Sequence, residues 1–191
     1  MKRRILILQG HPDPAGGHFG HALSDAYAAA AGAAGHEIRR VEIARLKFPV
    51  LRTRAEWEGK PPLELARTQA AIAWADHIVL FFPLWLGTMP ALVKAFLEQV
   101  LRPGFALETK GCRWVRKLRG KSARIVVTMG MPALVYRGFF LSHGVRGMER
   151  NILKFCGISP VKDTFIGLVE GGAGHRRRAL EKMGVLGARG G

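Results

Sequence analysis

The sequence predicts a doubly wound α/β fold: a five-stranded parallel sheet of order 2-1-3-4-5 between two layers of helices. Three observations predict it. Ile78 to Phe82 is continuously apolar, as expected for a central parallel strand covered on both faces. Strand, helix and strand follow one another within the first stretch of chain, Arg4 to Ile43, which is a βαβ unit with a right-handed crossover. Two further apolar runs, Ala123 to Thr128 and Val161 to Leu168, recur after helical stretches.

Taken in order, Arg4 to Gln9 is a short apolar run stopped by Gly10 and reads as the first strand. The loop Gly10-His11-Pro12-Asp13-Pro14-Ala15-Gly16-Gly17-His18 leads to an alanine-rich helix over about Phe19 to Ala34, closed by Gly35. His36 to Ile43 alternates as the second strand. Ala44 to Pro61 is irregular, and Leu63 to Trp74 has apolar residues at helical spacing. The third strand ends in an apolar loop, Pro83 to Met89. Pro90 opens the next helix, since its missing N–H has no intrahelical partner there. A basic excursion through Gly111, Trp114 and Gly120 leads to the fourth strand, and a second unusual loop, Met129 to Ala133, follows that strand. A helix ending near Phe155 with Gly157 as its cap precedes the fifth strand. Ala173 to Met183 forms a last helix, and the Gly-rich tail beyond about Gly184 is expected to fray, within one domain spanning residues 1–191.

Gly10 to Pro14 does not follow the G-x-G-x-x-G pattern of a dinucleotide-binding turn, which favours the order 2-1-3-4-5 over the Rossmann order. With that order the switch point falls between strands one and three. The loops after Gln9, Phe82 and Thr128 are then predicted to meet at one crevice, where ligands of open α/β sheets bind. By itself the loop Pro83 to Met89 is either core that happens to lie in a loop or the wall of a pocket for a flat apolar ligand.

The chain has 191 residues, 48% of them hydrophobic, enough for one sizeable core. Cys112 and Cys156 have no metal-ligand spacing, which argues against structural zinc and for a reduced, cytoplasmic setting. The apolar run after the basic start ends at Leu8, short for an export signal, and no stretch reaches the roughly 20 apolar residues of a membrane helix. Net charge is +16, from 30 Lys and Arg against 14 Asp and Glu. The basic residues are scattered and do not interleave with aromatic platforms, so a solvated surface is favoured over a nucleic-acid groove and no nucleic-acid partner is expected.

Four pieces in order resemble a known family: HPDP at His11 to Pro14; FPLW at Phe82 to Trp85 followed by PALVKAFLEQVLRPGFAL; TMGMPALVY at Thr128 to Tyr136; and ERNILKFCGI at Glu149 to Ile158. Together, over Ile5 to about Glu170, they resemble the flavodoxin-like NAD(P)H:quinone oxidoreductases, which include DT-diaphorase and the ancillary reductase subunits of potassium-efflux systems. The resemblance implies a flavodoxin-like three-layer sandwich and a cytoplasmic, homodimeric flavoprotein that reduces quinones or related electrophiles in a ping-pong cycle. FAD, with FMN as the alternative, would be the cofactor, and NADPH or NADH the hydride donor. The alternatives are a flavin-binding regulatory subunit of a membrane transporter and, further off, a nucleic-acid-associated basic protein.

Residue by residue, the first loop (His11, Gly16, Gly17, His18 and Phe19) would hold the flavin phosphate through backbone amides and a helix N-terminus. Pro83, Leu84, Trp85 and Leu86 would run along the ring, with Thr128, Met129, Gly130 and Met131 at its other side. Phe105, Trp85 and Tyr136 would form the substrate pocket, and Tyr136 and His143 would hydrogen-bond the reduced ring and assist proton movement. The family commonly carries a Ser or Thr and an Asn after its HPxP piece. Here Ala15-Gly16-Gly17-His18-Phe19-Gly20 stands instead, two residues longer, so phosphate contacts fall to the backbone and to His18. No metal is implied.

Overall fold

The computed structural model describes residues 2–110 and 113–191. The elements run β1 (Arg4–Gln9), α1 (Phe19–Ala33), β2 (Glu37–Glu42), a 3-10 turn (Ile43–Arg45), α2 (Arg54–Glu58), α3 (Leu63–Trp74), β3 (His77–Pro83) and α4 (Ala91–Val100). They continue with β4 (Leu107–Lys110), β5 (Arg113–Arg116), β6 (Ser122–Thr128), α5 (Ala133–Gly138), α6 (His143–Met148), a π turn (Glu149–Leu153), α7 (Lys154–Cys156), β7 (Val161–Ile166) and α8 (Ala173–Arg189).

The main sheet has the order β2-β1-β3-β6-β7, all parallel, which is 2-1-3-4-5 when its own strands are counted. Alternation along the strands divides the core in two. Leu6, Leu8, Ile78, Leu80, Phe82, Ile125 and Val127 face one layer, where α3, α4 and the α6–α7 segment pack. Ile5, Ile7, Val79, Phe81 and Val126 face the other, against Leu23, Tyr27 and Ala31 of α1 and Ala179 and Met183 of α8. Every residue of β3 except Pro83 is buried. Each such Ile, Leu, Val or Phe contributes about 1.5–3 kcal/mol of transfer free energy, so the apolar run fixes this strand at the sheet's centre.

Three expectations are corrected. The basic excursion is not a plain insertion: β4 and β5 pair antiparallel, Leu107 opposite Arg116, into a separate two-stranded ribbon. Its tip, with Cys112, lies outside the described residues. The helix expected to run to Phe155 is broken after α5, where Leu141 (φ 49°) and Ser142 (φ 52°) are left-handed, and resumes as α6, the π turn and α7, ending on Gly157 at φ 102°. The tail beyond Gly184 is helical to Arg189. There a Cβ on Gly187 would stand 2.2 Å from the Tyr27 carbonyl oxygen, so that glycine permits the close crossing of α8 over α1.

At the amino edge of the sheet, where the helices end, part of the positive charge has a structural use. Lys121 Nζ donates to the Ala73 and Ala75 carbonyls at the end of α3, and Arg3 to Gly190 O at the end of α8. Cations suit helix C-termini, where carbonyls lack intrahelical partners. A cavity of about 390 Å3 lies at this edge beside Arg3, His77, Lys121 and Lys162, on the side of the sheet away from the three loops. No helix among the described residues is long and apolar enough to cross a membrane.

Candidate functional site

The strand register brings three loops side by side at the carboxyl edge. Gln9 lies opposite Phe81, and Pro83 opposite Thr128. The Gly10 N–H donates to Phe81 O and the Leu84 N–H to Thr128 O, both at 2.7 Å. A Cβ on Gly10 would stand 2.8 Å from Phe81 O and from a Val93 methyl, so only glycine lets the first loop leave β1 this close to β3 and α4.

The first loop carries polar groups without partners among the described residues. Gly16 and Gly17 both sit at φ 77° in open space, a conformation that strains any other residue, and their amides have no backbone acceptor among the described residues. α1 begins immediately after, with His18 as an N-cap that makes no side-chain cap and with no acid in the first turn, so its leading amides lack side-chain acceptors. His11 stacks on His18 with ring centroids 3.8 Å apart, and His21 lies 5.3 Å from His11. His11 Nδ1 accepts from the Asp13 N–H, which leaves Nε2 as the donating nitrogen of the neutral ring. His18 Nε2 and Asp13 Oδ2 are 2.7 Å apart, and this contact holds the Asp13 carboxyl below its usual range. Burial, then His18 and His21, push His11 down to about 4, and burial lowers His21 as well. His21 Nδ1 is buried with no partner among the described residues. Two imidazoles whose pKa is lowered, His11 and His21, beside free amides are what an incoming anion would charge and satisfy. His21 was not singled out from sequence; its signal is the i+3 spacing from His18, which puts both on one face of α1.

The second loop is a tight reversal. Trp85 and Thr88 exchange backbone hydrogen bonds of 2.9 and 3.0 Å around Leu86 (φ 47°) and Gly87 (φ 77°), the two positive φ values of a type I′ turn. Leu86 is fully exposed and Trp85 is half exposed. This revises which amides of the loop are open. Pro83 has none, Leu84 donates to Thr128 O and Trp85 to Thr88 O, so the outward amides belong to Leu86 and to Gly87, which the sequence did not mark.

In the third loop Thr128 is buried, with its Oγ1 beside Gly20 of α1. Met129 packs its side chain into the core and donates its N–H to Ile166 O, so its side chain is not on the loop surface. Gly130 is exposed, and Met131 is half-buried and accepts from Leu168 N–H.

Tyr136 is 1% exposed, and its hydroxyl donates to Gly87 O at 2.9 Å. Burial raises its pKa, and the backbone amides of Val145 and Gly144 at the same oxygen offset part of that rise. A Cβ on Gly144 would stand 2.3 Å from Gly87 O, so α6 also seats its first turn on the β3 turn. His143, the first residue of α6, is exposed. Phe105 is not brought to this edge. It lies in the turn after α4, half-buried against the core. The structure therefore gathers the first two loops, the third and Tyr136, and leaves Phe105 apart.

Among curated relatives, an NAD(P)H oxidoreductase of Haemophilus influenzae, itself called uncharacterized, is 30% identical over 110 residues, 57% of this chain and 54% of that protein. Human ribosyldihydronicotinamide dehydrogenase (quinone) is 30% identical over 102 residues, 49% of this chain and 42% of that protein. The chain thus spans about half the length of the curated relatives it matches. Among solved structures, the NAD(P)H:quinone oxidoreductase of Methanothermobacter marburgensis superposes with a TM-score of 0.87 at 19% identity over 100% of both chains, a likeness of fold. A family model described as the flavodoxin-like fold matches residues 3–184, in agreement with the sheet order, and the chain belongs to that family.

Proposed function

We propose that this chain is a flavin-dependent NAD(P)H oxidoreductase that reduces quinones or similar electrophiles by ping-pong hydride transfer, with FAD, or FMN in its place, at the carboxyl edge. The observation that carries the reading is the pairing of an anion seat with an apolar turn across one switch point: the Gly16-Gly17 amides and uncapped α1 on one side, Trp85 and Leu86 on the other. The residues fit such a cofactor. The unpartnered His21 Nδ1 and neutral His11 suit a phosphate, and the exposed Trp85 side chain suits a planar ring.

When bound, the flavin supplies a ring that accepts hydride from a nicotinamide and passes it to an acceptor. The chain's own work is placement. The open amides of Leu86 and Gly87 can stabilise negative charge at the ring's polar edge, held in place by the Tyr136 hydroxyl behind them. Tyr136 is thus a positioning residue, and exposed His143 is placed to exchange protons with solvent. Trp85 and Leu86 exclude water from one side of the ring.

A homodimer belongs to the same proposal. Phe139 is 80% exposed, with Phe140 and Leu141 beside it and Phe140 packed 5.0 Å from Phe139, an apolar surface that a second copy would cover. Phe105 would enter a site only across such an interface.

The test is direct. The purified protein, mixed with FAD or FMN and gel-filtered, should retain a flavin absorbance spectrum and oxidise NADH or NADPH with menadione. A colourless protein that retains neither flavin and leaves NAD(P)H untouched sinks the proposal.

A further inference from the structure

A second cleft runs along the outer edge of β7, between α5 and α8. Its main part, about 380 Å3, has an apolar wall of Pro132, Leu134, Phe165 and Leu168 and a rim carrying Arg178 and Lys182. An adjoining hollow of about 300 Å3 shares Leu134, Phe165 and Lys182 with it and reaches Arg124. Arg124 is 6% exposed and donates to Thr164 Oγ1, while its Nε has no partner among the described residues.

The cations of α8 differ in their commitments. Arg177 pairs with Glu181, and Arg176 lies over the Phe19 ring. Arg178 and Lys182, four residues apart and so on one face of the helix, form no ion pair or side-chain hydrogen bond among the described residues. The acid in the adjoining hollow, Asp163, is already 3.7 Å from Arg137. Two uncommitted cations with a buried third therefore flank an apolar wall, a combination that fits a phosphorylated nucleoside: the base on the wall, the phosphate on the cations.

The cleft is also tied to the proposed flavin site. Pro132, on its wall, follows Met131 of the third loop, and Leu168 donates its N–H to Met131 O. Leu168 does so at φ 51°, a left-handed conformation that costs a leucine on the order of 1 kcal/mol and that tends to be kept where function requires it. A Cβ on Gly167 would stand 2.4 Å from Ala133 N, so the end of β7 is seated on the start of α5.

We propose that this cleft holds the adenosine end of the hydride donor, with Arg178 and Lys182 on its 2′-phosphate, and that it makes the chain selective for NADPH over NADH. The proposal rests on the reductase reading above. NADH presents a hydroxyl at that position and gains little from the cations, whereas the phosphate carries close to two charges.

Calorimetric titration with 2′,5′-ADP and with 5′-AMP tests the cleft without catalysis. The wild-type protein should bind 2′,5′-ADP at least tenfold more tightly, and the double variant Arg178→Ala, Lys182→Ala should lose that preference. The variant Arg177→Ala, whose side chain is held by Glu181, should keep it. With flavin and menadione, the ratio of KM for NADH to KM for NADPH should fall at least tenfold in the double variant. Equal binding of the two nucleotides by the wild type, or a preference that survives in the double variant, overturns the proposal while leaving the reductase reading intact. A preference that the double variant loses, in a protein that never oxidises NAD(P)H, upholds the cleft and removes the reductase.

Discussion

The Tyr136 hydroxyl, buried under α5, donates a 2.9 Å hydrogen bond to the carbonyl of Gly87, at the tip of the turn that ends β3. The turn that ends β3 is thereby fastened to α5, the helix that follows the third loop, by one side chain. Tyr136→Phe keeps the ring and removes the bond. Gly87 is exposed, so water can replace the donor lost to its carbonyl, but the Gly144 and Val145 amides lose their acceptor as well, so the cost should be about 1–3 kcal/mol in urea denaturation. The turn loses its anchor, so flavin affinity should fall severalfold while affinity for inorganic pyrophosphate, which needs only the anion seat, stays unchanged. Equal losses for flavin and pyrophosphate would show that Tyr136 supports the whole edge and not the turn.

Leu86 occupies a left-handed conformation with its side chain wholly in solvent. Nothing among the described residues compensates that strain, so Leu86→Asn, a residue that tolerates the conformation, should raise the stability of flavin-free protein by about 0.5–1 kcal/mol. Flavin retention should fall in the same variant, because the apolar cover of the ring is gone. A destabilised Leu86→Asn protein would place the leucine's role in the fold instead.

These two residues show where the sequence was readable. The sheet strands followed from apolar runs, because burial on both faces leaves a continuous signature, and Gly16-Gly17 were legible as residues with few other uses in a loop. The type I′ turn was not, since Leu-Gly stands where Asn-Gly would announce it. Gly187 read as looseness and serves a close helix crossing, a distinction that depends on Tyr27, far away in the chain. Phe139 to Leu141 continued an apolar pattern through a break that only their exposure reveals. The β4–β5 ribbon is too charged to alternate. Tyr136 was marked by resemblance as reactive, and only its partner's position shows that its hydroxyl is already engaged.

His77, at the start of β3, is 3% exposed, hydrogen-bonded through Nδ1 to Ser122 Oγ, and has no partner at Nε2. Burial, with help from Arg3, Arg124 and Lys162, lowers its pKa to about 4. Between about 4 and the unfolded value near 6.5, the unfolded chain binds a proton that the folded chain refuses, so stability is complete above that window and falls as pH drops through it. The upper limit is about 3 kcal/mol for this group. Urea midpoints measured from pH 7 to pH 4 should fall more steeply in the wild type than in His77→Gln. Parallel slopes would mean that the imidazole titrates normally in the fold.

The anion seat carries the opposite linkage. His11 is neutral at pH 7 because burial and the neighbouring His18 and His21 hold it near 4. A bound diphosphate opposes those causes and raises the imidazole's pKa, so binding takes up a proton wherever pH lies between the free and bound values. Affinity for FAD should therefore strengthen as pH falls from 8 to 5, by up to about tenfold per unit for each proton taken up, and level off near 4. FAD is the better probe, because a phosphate monoester such as that of FMN titrates on its own near 6. The charged groups facing the cluster are Asp13, which pairs with His18; Glu42 and Asp25, which act on His21; and Arg45, whose Nε is 3.4 Å from Pro14 O. Asp13, Glu42 and Asp25 favour protonation, so the slope belongs to the cluster. His11→Asn should flatten it in part, and His11→Asn with His21→Asn further. A dissociation constant for FAD that does not move between pH 8 and 5 would assign the seat to the Gly16-Gly17 amides and α1 alone.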